Sequence, residues 1–105
     1  MKQFHFLAFA VLAVSFASQR ASAADGLALA KSNQCTACHA VDSKTVGPAF
    51  KAIAAKYKGD SAAASKLAAS VKGGSSGKWG AIPMPPNGAI SDADAKAIVE
   101  WILKQ

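Results

Sequence analysis

Residues 33–42 read NQCTACHAVD, which places Cys35, Cys38 and His39 within five consecutive positions of a 105-residue chain. Three chemistries use such a cluster: a dithiol redox pair, part of a zinc site, or covalent attachment of a c-type haem. A C-x-x-C dithiol normally follows a strand in a sheet-containing fold. Zinc takes four N, S or O ligands and needs a second Cys or His pair. A C-x-x-C-H haem site needs two thiols three positions apart on one helical turn, in reach of two vinyl groups on one porphyrin edge. The adjacent imidazole then projects beneath the iron.

The rest of the chain discriminates among these. It begins MKQFHFLAFAVLAVSFASQRASAADG, with Lys2 ahead of an apolar run from Phe6 to Ala17, then Arg20 and the triplet Ala21-Ser22-Ala23. A basic start, a short apolar stretch and a small-x-small ending predict a secretory signal peptide over residues 1–23, cleaved after Ala23. An uncleaved anchor is the weaker reading, because a spanning helix needs about 20 apolar residues. Stable membrane insertion is therefore not expected. Residues 24–105 then form one mature domain of 82 residues. A domain that small has a marginal apolar core, and here most apolar residues are alanines, so a cofactor is expected to fill the middle.

Met1 and His5 leave with the leader. The mature chain keeps one histidine, His39, one methionine, Met84, and the cysteines Cys35 and Cys38. Zinc lacks its second ligand pair. An exported chain can keep a disulfide, but the Ala/Lys-rich stretches carry almost no strand signal, which weighs against the dithiol fold. The haem reading is favoured, with disulfide and zinc behind it. A haem with one histidine needs a sixth ligand or keeps an open position. Met84 lies in WGAIPMPPNGAI, residues 79–90, between Pro83 and the pair Pro85-Pro86. Prolines fix φ and remove donors, so the segment runs stiff and extended. A lone methionine is often core filler, yet filler needs no rigid mount, whereas a thioether ligand benefits from one. Met/His ligation also raises the potential of a haem in electron carriers.

The mature chain resembles a small bacterial class I cytochrome c of the c-551 (c8) type over nearly its whole length. The resemblance rests on CTACHAVDSKTVGPAFKAIAAKYKG, VKGGSSGKWGAIPMPPN and SDADAKAIVEWILKQ. CxxCH alone is widespread; CxxCH followed by Gly47-Pro48 and, about forty-five residues downstream, by W-G-x-I-P-M-P-P-N is far more specific. The resemblance implies an all-α class I cytochrome c fold, about four short helices wrapped around one haem c bound through Cys35 and Cys38. It implies His39 and Met84 as iron ligands, and the Pro48 carbonyl as acceptor for the imidazole N–H, a bond that fixes tautomer and orientation. It also implies Trp79 reaching a haem propionate and Asn87 near the ligand methionine. The chain departs from family members at two places: Ser70 stands where some carry an arginine near a propionate, and Ala30 where many carry an aromatic packed on the last helix.

The pattern of residues agrees with four helices on its own terms. Asp25 through Leu29 toward Asn33 suits a first. Phe50, Ile53, Ala54 and Tyr57 suit a second, stopped by Gly59. SAAASKLAASVKGG suits a third, with Ser61 as N-cap and Gly73-Gly74 as its end. In the last, Ser91 and Asp94 resemble a capping box, and Ala95, Ile98, Val99, Ile102 and Leu103 share one face. Trp101 reads as packing. GGSSGK, residues 73–78, reads as a loop.

Leader loss takes the basic count from 12 to 10 against 6 acidic side chains, a net charge of +4. Lys44, Lys56, Lys58, Lys72 and Lys78 flank the segments expected around the haem, where they would steer encounter with acidic partners; scattered lysines are also ordinary solvated surface. Nucleic acid is not expected, since no basic stripe is present. The resulting expectation is a periplasmic, monomeric one-electron carrier and not an enzyme. Its expected partners are redox proteins with acidic docking surfaces, such as a nitrite reductase, an oxidase or a quinol-oxidising complex. The rival is a haem protein with an open or labile sixth position, which binds small gases or acts as a peroxidase.

Overall fold

Among the described residues, alanine-rich stretches punctuated by glycine, proline and capping residues give four short α-helices. They are α1 (Ala23–Ser32), α2 (Phe50–Lys56), α3 (Ala63–Gly73) and α4 (Asp92–Ile102), with a 3₁₀ turn at Cys35–Ala37. The structure, a computed structural model, describes residues 23–105 and two isolated earlier positions, Ala10 and Ala13. The expected signal peptide thus lies outside the described residues apart from those two positions and Ala23. Among the described residues there is no strand, only an isolated antiparallel bridge between Ser75 and Met84, and no helix is long and apolar enough to cross a membrane. The described residues are thus all-α, with four short helices, as expected from the sequence.

Helix α4 is the spine. Ser91 caps it, its hydroxyl accepting from the Asp94 amide at 3.1 Å, and Asp92 and Asp94 complement the positive end of the helix dipole. Ala95, Ile98, Val99, Trp101 and Ile102 are buried, each large side chain contributing roughly 1.5–3 kcal/mol by leaving water. Leu103 is only half-buried. Phe50, at the start of α2, meets Trp101 edge-on with ring centroids 5.2 Å apart.

The first helix meets this spine through small residues. A Cβ built on Gly26 would collide with Cβ, Cγ and Cδ1 of Trp101, and Ala30, one turn on, is fully buried. Around Ala30 the aromatic bulk therefore sits on α4, as Trp101, and α1 supplies the groove. After α1 the chain reverses at Gln34, whose φ of 63° is the only positive value at a described non-glycine residue.

The start of α3 differs from expectation. Ser61 is not its cap; Ala62 holds that position with no side-chain bond. Asp60 supplies the polar group instead, Oδ1 accepting from the Ala62 amide at 2.8 Å and Oδ2 from Lys66 Nζ at 2.8 Å. A carboxylate reaches both the helix start and the i+6 ammonium, which a serine hydroxyl is too short to do. The helix ends at Gly73, and Gly74 follows at φ 78°, as expected.

Two outcomes follow. Gly26→Ala, ordinarily worth up to about 1 kcal/mol to a helix interior, is expected instead to destabilise by about 1–3 kcal/mol through overpacking against Trp101, read from the denaturation midpoint. Lys66 holds the Asp60 carboxyl below the ordinary carboxylate range, and Asp60 holds Lys66 above its own. The stability this pair contributes is present at neutral pH. It is lost as pH falls through the depressed Asp60 range, and lost again as Lys66 deprotonates at high pH. Asp60→Asn should flatten the acid limb of a melting-temperature profile.

Candidate functional site

The attachment motif folds as one tight turn. The amides of Cys38 and His39 both donate to the Cys35 carbonyl, at 3.2 and 3.0 Å, which puts the two thiols on one turn with the imidazole beside them. Both thiols are free and half-buried. Burial pushes the Cys35 thiol up from its ordinary value, the opposite of an activated redox cysteine. Among the described residues no group of three or more His, Cys, Asp and Glu side chains is placed to hold a metal ion.

The chain beyond His39 folds back onto the turn. The Gly47 amide and the Thr45 hydroxyl both donate to the Cys38 carbonyl, at 2.7 and 2.6 Å, and the Phe50 amide donates to the Ala40 carbonyl at 2.9 Å. This return brings the Pro48 carbonyl 2.7 Å from His39 Nδ1. A carbonyl only accepts, so Nδ1 carries the proton and the Nε2 lone pair is left for a metal. Gly47 permits the approach: a Cβ there would sit 2.5 Å from His39 Cε1. Phe50 backs the imidazole, with centroids 5.3 Å apart and planes 21° from parallel.

Met84 is mounted on the other segment. Its amide donates to the Ser75 carbonyl at 2.8 Å and its carbonyl accepts from the Ser75 amide at 3.0 Å. Gly74 allows the pairing, since a Cβ there would meet the Met84 carbonyl oxygen at 2.8 Å. Asn87 closes the loop: its amide donates to the Val71 carbonyl at 2.9 Å, and its side-chain Nδ2 donates to the Asn33 carbonyl at 3.3 Å.

These pieces face one cleft of about 970 Å³, counting its open mouth. Cys35, Cys38, His39, Pro48, Trp79 and Met84 all line it over a floor that includes Phe50, Leu67, Val71 and Ile98, and no carboxylate side chain among the described residues lines it. Asn87 lines instead an adjoining depression shared with both cysteines, His39 and Met84. Trp79, Val46 and Ile82 stand exposed at the rim, by 38%, 52% and 66%. Two thiols on one turn, an imidazole held in one tautomer and a thioether on a stiff mount, around an apolar cleft, are a donor set that fits a c-type haem.

Sequence reasoning passed over Gly47, Phe50 and Ser75. The Gly-Pro pair carried a signal for Gly47, since glycine beside a required carbonyl marks close approach; Phe50 and Ser75 act through neighbours that only the fold reveals. The five rim lysines divide. Lys44 adjoins Val46, Trp79 and Ile82 in a side groove; Lys56 lies 4.4 Å over the Trp79 ring; Lys78 lines the cleft. Lys72 is bound to Asp92, and Lys58 lies in a separate groove with Asp60 and Lys104.

Gly47→Ala should displace the imidazole or the return loop and weaken the bond to Pro48. A loss on the order of 1 kcal/mol would speed solvent exchange of the Nδ1 proton several-fold in proton NMR.

Comparison with known proteins agrees with this geometry. The family profile described as Cytochrome c matches residues 23–105. Cytochrome c-552 of Nitrosomonas europaea is 55% identical over 98 residues, covering 93% of this chain and 89% of that protein. Cytochrome c-551 of Azotobacter vinelandii is 55% identical over 78 residues, covering 74% of this chain and 94% of that protein. The crystal structure of wild-type Nitrosomonas europaea cytochrome c552 superposes with a TM-score of 0.73 at 62% identity, over 74% of this chain and 96% of that one.

Proposed function

The chain belongs to the cytochrome c family, electron-transfer haem proteins with one covalently bound haem c, and from that premise we propose an exported one-electron carrier ligated by His39 and Met84. The observation that carries the ligand assignment is the 2.7 Å contact of His39 Nδ1 with the Pro48 carbonyl, on the same cleft as a methionine whose backbone is bonded twice to Ser75. When bound, the haem supplies a one-electron ferric/ferrous couple.

The protein's own groups account for the rest. Cys35 and Cys38 hold the cofactor covalently, so that it is not lost. His39, kept in one tautomer and backed by Phe50, offers Nε2 in a fixed direction. Met84 offers a thioether from a segment that three prolines and the Ser75 pairing keep from shifting. With His39 and Met84 both serving as ligands, a bound haem would offer no open position to a substrate, and the site would serve electron transfer without bond-making. These rigid mounts would keep His39 and Met84 as the ligands in either oxidation state, and thioether ligation with apolar burial would raise the potential.

Partner docking falls to the cleft rim. Val46, Trp79 and Ile82 give a small exposed apolar patch, bordered by Lys44, Lys56 and Lys78. The apolar surface gives contact and the ammonium groups steer an acidic redox protein toward it, with on-rates that fall as salt rises. The reading of residues 1–23 as a secretory leader supports a periplasmic site for this exchange.

The test is the absorption spectrum of the holoprotein made in a host competent for cytochrome maturation. A ferric charge-transfer band at the red end of the visible, with c-type reduced bands, is the expected result. A high-spin spectrum would point to an open sixth position, and a colourless protein would overturn the assignment. Met84→Ala should abolish that band, admit exogenous ligands and lower the potential; an unchanged spectrum would remove Met84 as ligand.

A further inference from the structure

Beside Trp79 the rim of the cleft carries two ammonium groups without a carboxylate partner among the described residues. Lys78 Nζ lies 3.3 Å from Ser70 Oγ. Lys56 Nζ sits 4.4 Å over the Trp79 ring and donates to the Lys78 carbonyl at 3.1 Å. By contrast Lys51, Lys66, Lys72 and Lys96 each face an aspartate or glutamate. The chain thus holds two cations together at one edge of an apolar cleft and supplies no acid side chain of its own to the lining.

Both cations are positioned rather than neutralised. A hydroxyl orients Lys78; an aromatic face and a carbonyl orient Lys56. Each ammonium has three donors, and these contacts leave donors over for an anion. The other titratable groups lining the cleft are Tyr57, just past α2, and Cys35, Cys38 and His39 of the attachment turn; the residues of α4 in the lining are all apolar. Among the described residues no carboxylate of the cleft lining therefore competes for this edge.

A haem brings its own anions, two propionate carboxylates. We propose that Lys78, positioned by Ser70 and flanked by Lys56 on Trp79, is the propionate-binding cation of this chain. The proposal rests on the haem reading above and goes beyond it. It assigns the counter-charge to the loop after α3, while the position on α3 itself carries only the neutral Ser70. A cation there favours the ionised propionate and the ferrous state, so its loss raises the propionate pKa and lowers the potential.

The experiment is potentiometry of the holoprotein against pH, at low and high salt, for the wild type, Lys78→Gln, Lys78→Arg and Lys104→Gln. In Lys78→Gln the pH of the propionate-linked step in potential should rise by about one pH unit at low salt and by less at high salt, with a lower potential at neutral pH. Lys78→Arg should stay near the wild type. Lys104→Gln removes the same charge from a separate groove and should leave the step in place. Ser70→Ala, which releases Lys78 without removing it, should give a smaller rise and supplies the comparison if Lys78→Gln fails to mature. A step unmoved in both variants, with the wild-type axial spectrum retained, overturns the proposal. A wild-type protein without the His/Met spectrum overturns the underlying ligand reading instead, so the two failures are distinguishable.

Discussion

The bond from the His39 ring to the Pro48 carbonyl sets the terms for the rest of the site. It joins the attachment turn to the residues that open α2, and it fixes which imidazole nitrogen is free. The distance depends on the return of residues 40–50, on Gly47 lacking a side chain, and on the amide and hydroxyl that converge on the Cys38 carbonyl. Phe50 carries the effect into the core, since it touches both the imidazole and Trp101. A change in that small apolar cluster reaches the imidazole through packing alone.

Helices supply the frame, but the two proposed ligands sit outside them. His39 follows a 3₁₀ turn and Met84 lies in a proline-rich loop. Helical backbone would spend its donors and acceptors internally; these segments spend theirs on nearby turns and loops, as Gly47 does on Cys38 and Met84 on Ser75. That arrangement lets side chains from positions 39 and 84 face a common cleft, while α4 and its buried Ile98 and Val99 close the floor. An alanine-rich chain with few large apolar residues is suited to this task, because it encloses space rather than filling it.

Much of this was legible in the sequence because the signals were local. Cys35, Cys38 and His39 are adjacent, Ser91 lies three residues before Asp94, and the face of α4 follows from its own spacing. The stop at Gly73-Gly74 needed only glycine's freedom at positive φ. What escaped depended on reach or on distant partners. Ser61 and Asp60 are both credible capping residues, and the choice fell to the side chain able to engage Lys66 as well. The groove of Gly26 and Ala30 gains its meaning from Trp101, seventy-odd residues away in sequence. The lysines illustrate the same limit: Lys72 and Lys78 lie close along the chain, yet one is bound to Asp92 and the other borders the cleft.

The Asn87 side chain, donating to the Asn33 carbonyl at 3.3 Å, ties the loop bearing the thioether to the strand of chain that enters the cysteine turn. Regions poor in helix are ordinarily where a small protein breathes first. The strap couples the two walls of the crevice, so that loosening either one costs the bond that also steadies the other.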